Sequence, residues 1–318
     1  MKYKPHDYQS YATEFILKNP VAAILLQMGL GKSVITLTAI RELLNRGEVK
    51  KVLVVAPLRV ARDTWPEEIR KWDHLRGLTY SVAVGTADER RAAVLAGSEI
   101  TVINRENVPW LVEQSGIPFR WDMVVIDELS SFKNWQAKRF RSLMKVRPFV
   151  KRIVGLTGTP SPNGYMDLFA EYRLLDMGER LGRFIGRYRE AFFTPDRWGN
   201  GQVFSWNLRP GADESIYRKI SDITVSMKSV DHLKMPECVI NEVPVRMDPE
   251  AGAGGGGENE RAAGQCPGAG HRQGADPGNH PGAYLRQTGY RDQAVRGTAV
   301  RGGGPGGTGG HLREKGSF

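Results

Sequence analysis

Short apolar runs recur along the first half of the chain, at residues 21–26 (VAAILL), 52–56 (VLVVA), 100–103 (ITVI), 123–126 (MVVI) and 153–156 (IVGL). Runs of this length with no polar alternation predict strands buried on both faces, which is the signature of a parallel sheet. The stretches between them have helical character. Residues 33–44 bring Ile35, Leu37, Ile40 and Leu44 towards one face, 64–71 follow a proline-containing turn, and 87–96 are charged on one side. Strand and helix in alternation predict a doubly wound α/β domain. Ligands of such sheets bind beyond the carboxyl ends of the strands. The residues that follow each apolar run are therefore the ones to inspect.

Beyond residue 176 the pattern changes. Residues 183–193 (RFIGRYREAFF) read as an arginine-rich helix, and 198–208 (WGNGQVFSWNL) as a hairpin turned at glycine. Ile216, Ile220 and Ile223 repeat at helical spacing within 213–223. The last 68 residues hold 21 of the 37 glycines and no Trp, Ile or Met. Such a segment buries too little apolar surface to offset the entropy of ordering it. It reads as a disordered Gly/Pro/Arg-rich tail, as a stretch translated out of frame, or as an arginine-glycine tail that binds nucleic acid. The expected organisation is one α/β domain over 1–176, a helical and hairpin extension over 177–250, and the tail over 251–318.

Composition narrows the class. No apolar run approaches the roughly 18 residues a bilayer crossing requires, and the first ten residues, MKYKPHDYQS, lack a secretory layout. Two cysteines, Cys238 and Cys266, are too few for a zinc site or a disulfide framework. The expectation is a soluble, reduced, intracellular protein. The net charge of +10 is a weak pointer to a polyanionic partner.

The residues after the strands carry phosphate chemistry. After 21–26 comes Gln27-Met28-Gly29-Leu30-Gly31-Lys32-Ser33 and then a predicted helix. Gly29 and Gly31 let backbone N–H groups converge, and the helix adds its positive end. Lys32 is placed to reach β- and γ-phosphates, and the Ser33 hydroxyl to ligate Mg²⁺. The GxxxxGK[ST] pattern would have glycine where this chain has Leu26. After 123–126 come Asp127 and Glu128. Two acids ending a buried strand fit a carboxylate that holds Mg²⁺ and one that activates water. After 153–156 come Thr157, Gly158, Thr159 and Pro160, whose small hydroxyl residues are suited to relay the phosphate state.

The order and wording of these segments resemble the Swi/Snf-type DNA-dependent ATPases of helicase superfamily two, in a compact form found in phages. His6-Asp7-Tyr8-Gln9 resembles the adenine-reading glutamine motif, with Gln9 as the reader, and MGLGKS (28–33) resembles motif I. Residues 52–72 resemble motif Ia, including Trp65, Glu68 and Trp72; 100–111 resemble motif Ib. MVVIDELSSFKN (123–134) resembles motif II, with Leu129 and Ser130 where the family usually has Ala-His, and 155–176 resemble motif III and its following helix. The resemblance covers about residues 1–248. It implies a RecA-like lobe that binds ATP and Mg²⁺ through Gln9, Met28, Gly29, Leu30, Gly31, Lys32, Ser33, Asp127 and Glu128. Thr157, Gly158 and Thr159 would couple nucleotide to nucleic acid, and Pro57, Arg59 and Arg105 would face double-stranded DNA. A bacterial or phage-infected cytoplasm is the implied setting.

The family's second lobe brings an arginine finger in a Q-x-x-G-R-x-x-R-like segment, and no such segment follows residue 176. Two readings of the chain stay open on these grounds: the ATP-binding lobe of a motor on duplex DNA, and a module that holds ATP and DNA without cycling. A different P-loop enzyme, such as a kinase, has no acceptor pocket to support it. From Leu129 to Met166 there are eight basic residues and no acid, which is a further candidate for phosphate contact.

Overall fold

The computed structural model describes residues 1–158, 164–199 and 202–227. The tail expected over 251–318, and residues 228–250 of the expected extension, lie outside the described residues, as does Thr159. The described chain runs α1 (Asp7–Lys18), β1 (Val21–Leu26), α2 (Lys32–Asn45), β2 (Val52–Ala56), α3 (Trp65–Lys71), β3 (Tyr80–Ala83), α4 (Ala87–Leu95), β4 (Ile100–Asn104) and β5 (Met123–Asp127). It continues with α5 (Lys138–Val146), β6 (Arg152–Thr157), α6 (Leu168–Asp176), α7 (Ile185–Phe192), β7 (Phe193–Gly199), β8 (Gln202–Leu208), α8 (Ala212–Ile220) and β9 (Thr224–Met227).

Seven strands form one sheet in the order β3-β4-β2-β5-β6-β1-β9, and every pair in it is parallel. The doubly wound α/β expectation is met. The five apolar runs are the central strands, and alternate side chains of each serve opposite faces. Ala22, Ile24 and Leu26 of β1 join the core beneath α1, α2 and α3, whereas Ala23 and Leu25 join the core beneath α5, α6 and α8. The same division holds on β2, with Val52, Val54 and Ala56 on one side and Leu53 and Val55 on the other. Side chains such as Ile24, Ile35, Leu37 and Ile40 are wholly buried. Each is worth about 1.5–3 kcal/mol over exposure.

One close approach depends on a glycine. A Cβ at Gly155 of β6 would stand 2.7 Å from Leu129 Cδ2. That space lets the turn after β5 press directly on β6. Buried arginines tie helix ends to this frame. Arg147 donates to the carbonyls of Leu174 and Leu175 at the end of α6, and Arg152 to those of Ile16 and Leu17 at the end of α1. Each side chain serves carbonyls that a helix terminus leaves without intrahelical partners.

Beyond α6, the antiparallel hairpin β7–β8 forms where the glycine turn predicts one, although residues 200–201 are not described. Ile216, Ile220 and Ile223 are buried as their spacing predicts. Helix α8 stops at Ile220, and the chain then enters β9, which pairs in parallel with β1. No helix among the described residues is long and apolar enough to cross a membrane.

Candidate nucleotide-binding site

Strand order brings the predicted residues together. β6 lies between β1 and β5, and their registers align the three carboxyl ends: Leu25 pairs with Thr157, and Asp127 with Leu156. Two strand spacings, about 10 Å, separate the loop after β1 from the acids after β5, with Thr157 and Gly158 between. On the other side of β5, β2 and then β4 continue the same edge, so Pro57 and Arg59 follow β2 and Arg105 follows β4.

The loop after β1 turns on two glycines in the left-handed region, Gly29 at φ +85° and Gly31 at φ +76°. Gly31 caps α2, so the helix begins at Lys32. A Cβ at Gly31 would lie 2.8 Å from Gln9 Nε2, so a side chain there would displace the Gln9 amide. The loop residues are not equivalent. Met28 is 86 % exposed, but the Leu30 side chain is wholly buried in the core, so only the backbone of Leu30 belongs to the loop surface. Lys32 Nζ donates to Leu26 O at 2.8 Å and Gln27 O at 3.4 Å. Burial lowers its pKa, and Asp127 and Glu128 act in the opposite sense. Gln9 is 7 % exposed. Its Oε1 accepts from the His6 backbone N–H at 3.0 Å, and its Nε2 donates to Leu30 O at 3.4 Å. The residue expected to read adenine is thus fastened to the loop itself.

Opposite stand the acids. Burial pushes the Asp127 carboxyl above its ordinary range, against the indole of Trp65 and the charge of Lys32, which favour the carboxylate. Trp65 Nε1 donates to Asp127 Oδ2 at 2.9 Å. Glu128 occupies the left-handed region at φ 64°, ψ 65°, a conformation costing a non-glycine residue roughly 1–2 kcal/mol. Its Oε1 accepts from Ser130 Oγ at 2.5 Å and Thr157 Oγ1 at 3.3 Å. Ser130, at the position where the family usually has histidine, thus touches the second acid. A Cβ at Gly158 would stand 3.7 Å from Leu26 O and 3.9 Å from both Lys32 Nζ and Met28 N. The third motif therefore closes the gap between the loop and the acids.

These residues fit a nucleoside triphosphate with Mg²⁺. A helix N-terminus, two glycines at positive φ and a partly buried lysine make an anion cradle, and one carboxylate with one hydroxyl suits a cation that keeps phosphate and water ligands. No group of three or more His, Cys, Asp or Glu able to hold a metal by itself occurs among the described residues.

The candidate nucleic-acid residues are less uniform. Arg59 is exposed, but Arg105 Nε donates to Glu106 Oε1 at 2.8 Å. The basic stretch is divided between residues engaged within the fold and residues open to solvent. Lys133 pairs with Asp167, Lys145 with Glu113 and Lys151 with Asp122. Arg139, Arg147 and Arg152 donate to backbone carbonyls. Lys138 and Arg141 are exposed. The sequence signal for Trp65 is its place beside Glu68 and Trp72 in the motif Ia-like segment 52–72, which carries no hint of a contact with Asp127.

Comparison with known proteins gives the family and the fold. The SNF2-related domain matches residues 9–184. A phage protein, "Putative protein p41" of Acyrthosiphon pisum secondary endosymbiont phage 1, is 34% identical over 258 residues, covering 79% of this chain and 56% of its own length. "Protein CHROMATIN REMODELING 5" of Arabidopsis thaliana is 27% identical over 244 residues, covering 70% of this chain and 13% of its own. The chain therefore spans about half the length of the phage relative and a small part of the plant one. Among solved structures, the Sulfolobus solfataricus SWI2/SNF2 ATPase core in complex with dsDNA matches with a TM-score of 0.58 at 22% identity, covering 72% of this chain and 45% of that chain. The same core domain in a second structure matches at 0.55. These likenesses establish the fold: a RecA-like sheet of the SWI2/SNF2 kind.

Proposed function

The chain belongs to the SNF2-related domain family, and from that premise we propose that it is the ATP-binding lobe of a DNA-dependent ATPase that couples hydrolysis to movement along double-stranded DNA. One observation carries the reading. The phosphate loop, the acid pair and the Thr157–Gly158 turn stand on three adjacent strand ends, where a Cβ at Gly158 would lie 3.9 Å from Lys32 Nζ.

ATP with Mg²⁺ would supply the cleavable phosphoanhydride and the cation that neutralises its charge. The protein's part is then as follows. Backbone N–H groups around Gly29 and Gly31, with the start of α2, bind phosphate. Lys32 exchanges the carbonyls of Leu26 and Gln27 for phosphate oxygens. Ser33 and Asp127 would hold the cation. Glu128 orients the attacking water and takes its proton, with Oε1 held by Ser130 and Thr157. Gln9, clamped to the loop, orders the edge of the site where a base would lie. Pro57, Arg59 and Arg105 continue the same sheet edge and are assigned to duplex DNA, whose phosphates they would contact with release of counterions. The proposed setting is the cytoplasm of a bacterium or an infected host.

The finer reading assigns the arginine finger to a second lobe, because the Q-x-x-G-R-x-x-R-like pattern does not occur after residue 176. Such a finger contributes about 10³–10⁵ in turnover. The 318-residue chain should then bind ATP and turn over far below about one per second, with or without duplex DNA. Hydrolysis measured on the purified chain tests this. Duplex-stimulated turnover above that rate contradicts the single-lobe reading and leaves the motor reading standing. A module that binds ATP and DNA without cycling is the second reading, favoured by the same missing pattern.

A further inference from the structure

Trp65 opens α3 and is 0 % exposed, packed in the core that α1 and α2 share with the sheet. Its backbone N–H bonds Val60 O and the next residue is Pro66, so the start of the helix is fixed from both sides. From this frame the indole Nε1–H reaches Asp127 Oδ2 at 2.9 Å, across 62 positions of sequence. Packing does not require that contact, since a phenylalanine ring would fill most of the same space. The N–H is what distinguishes Trp here, and indole is a rigid donor with no acceptor function.

A carboxylate has two oxygens. When one serves a cation, the other needs a donor, because a buried acceptor left unpaired costs about 1–3 kcal/mol. We propose that Trp65 is a positioning residue for the metal-side carboxylate: its indole N–H holds Oδ2 of Asp127 and so presents Oδ1 to Mg²⁺. The proposal rests on the nucleotide-site reading given above. Partners of metal-ligating groups typically change metal affinity about 10–100-fold when removed. The role also accounts for a tryptophan placed some 60 positions before the acid it serves.

The test is Mg²⁺ titration of binding by a fluorescent ATP analogue, monitored without any need for turnover. Trp65→Phe should keep the wild-type circular dichroism and raise the Mg²⁺ concentration at half-maximal binding about 10–100-fold. Its affinity for the analogue in EDTA should not change, which a general loss of packing would not achieve. Asp127→Ala should abolish the Mg²⁺-dependent part. A Trp65→Phe titration within about twofold of wild type overturns the inference alone. Wild-type binding with no Mg²⁺ dependence overturns the nucleotide-site reading and this inference together. If Trp65→Phe does not fold, the indole N–H resonances of ¹⁵N-tryptophan-labelled wild type and Asp127→Asn carry the test. A hydrogen-bonded indole signal that moves in Asp127→Asn and on Mg²⁺ addition supports the role, and an unchanged indole spectrum refutes it.

Discussion

At the residue scale, the glycine at position 31 is required by its φ of +76° and leaves room for Gln9 Nε2 beside it. Gly31→Ala should cost roughly 1–2 kcal/mol from the left-handed conformation alone, and should also push the Gln9 amide off the loop. Denaturant unfolding and ATP affinity should fall together; unchanged stability would refute the strain. Glu171 of α6 offers a second residue-scale prediction. It is 1 % exposed, its Oε1 has no hydrogen-bond partner among the described residues, and burial raises its pKa well above the ordinary value. Asp167 and Glu128 push the same way and Lys133 opposes them. The folded state therefore holds this proton to higher pH than the unfolded chain. The associated stability is complete below the unfolded pKa and is lost as pH rises through the folded one. Glu171→Gln mimics the protonated form, so wild type should lose thermal stability relative to the variant as pH rises above the ordinary carboxylate range. Parallel curves would show that Glu171 is ionised in the fold.

At the element scale, strands buried on both faces were the most legible feature. The run 21–26 coincides with β1 and 52–56 with β2, and the other three runs extend by one or two residues into their turns. Continuous apolar sequence marks such strands because both neighbouring layers demand it. β3 and β9 escaped the pattern because they lie at the sheet edges, where YSVA and TVSM mix polar with apolar side chains. α1 was read only as a glutamine motif, although Ala12 and Ile16 bury its inner face. The basic stretch shows a related limit. A sequence shows charge but not the carbonyls and carboxylates that absorb it, as Arg147 and Arg152 illustrate. α2 joins the phosphate loop to the core through Ile40, which is wholly buried. Ile40→Ala should cost about 2–5 kcal/mol, read from chemical denaturation. A loss below about 1 kcal/mol would place that helix outside the cooperative core.

At the scale of the whole molecule, one sheet edge organises the account. Reading from β1 towards β4 it carries the phosphate loop, the Thr157–Gly158 turn, the acid pair, then Pro57 with Arg59, and last Arg105. The sequence supplied those residues in the order of the chain. Their order in space depends on β6 inserting between β1 and β5, which no local pattern encodes. The Trp65–Asp127 contact stayed hidden for the same reason. If Arg59 meets DNA phosphate, Arg59→Ala should weaken duplex binding about equally for all sequences and reduce the salt slope by about 1. Fluorescence anisotropy over a salt series reads both. An unaltered slope would remove Arg59 from the interface.

If a triphosphate is held between Lys32 and the acids of β5, equilibrium titration of ATP with Mg²⁺ into wild type and Lys32→Ala will show it. Wild type should bind saturably at one site, and the variant should lose that binding while unfolding at the same temperature. Equal affinity in the two proteins would contradict it.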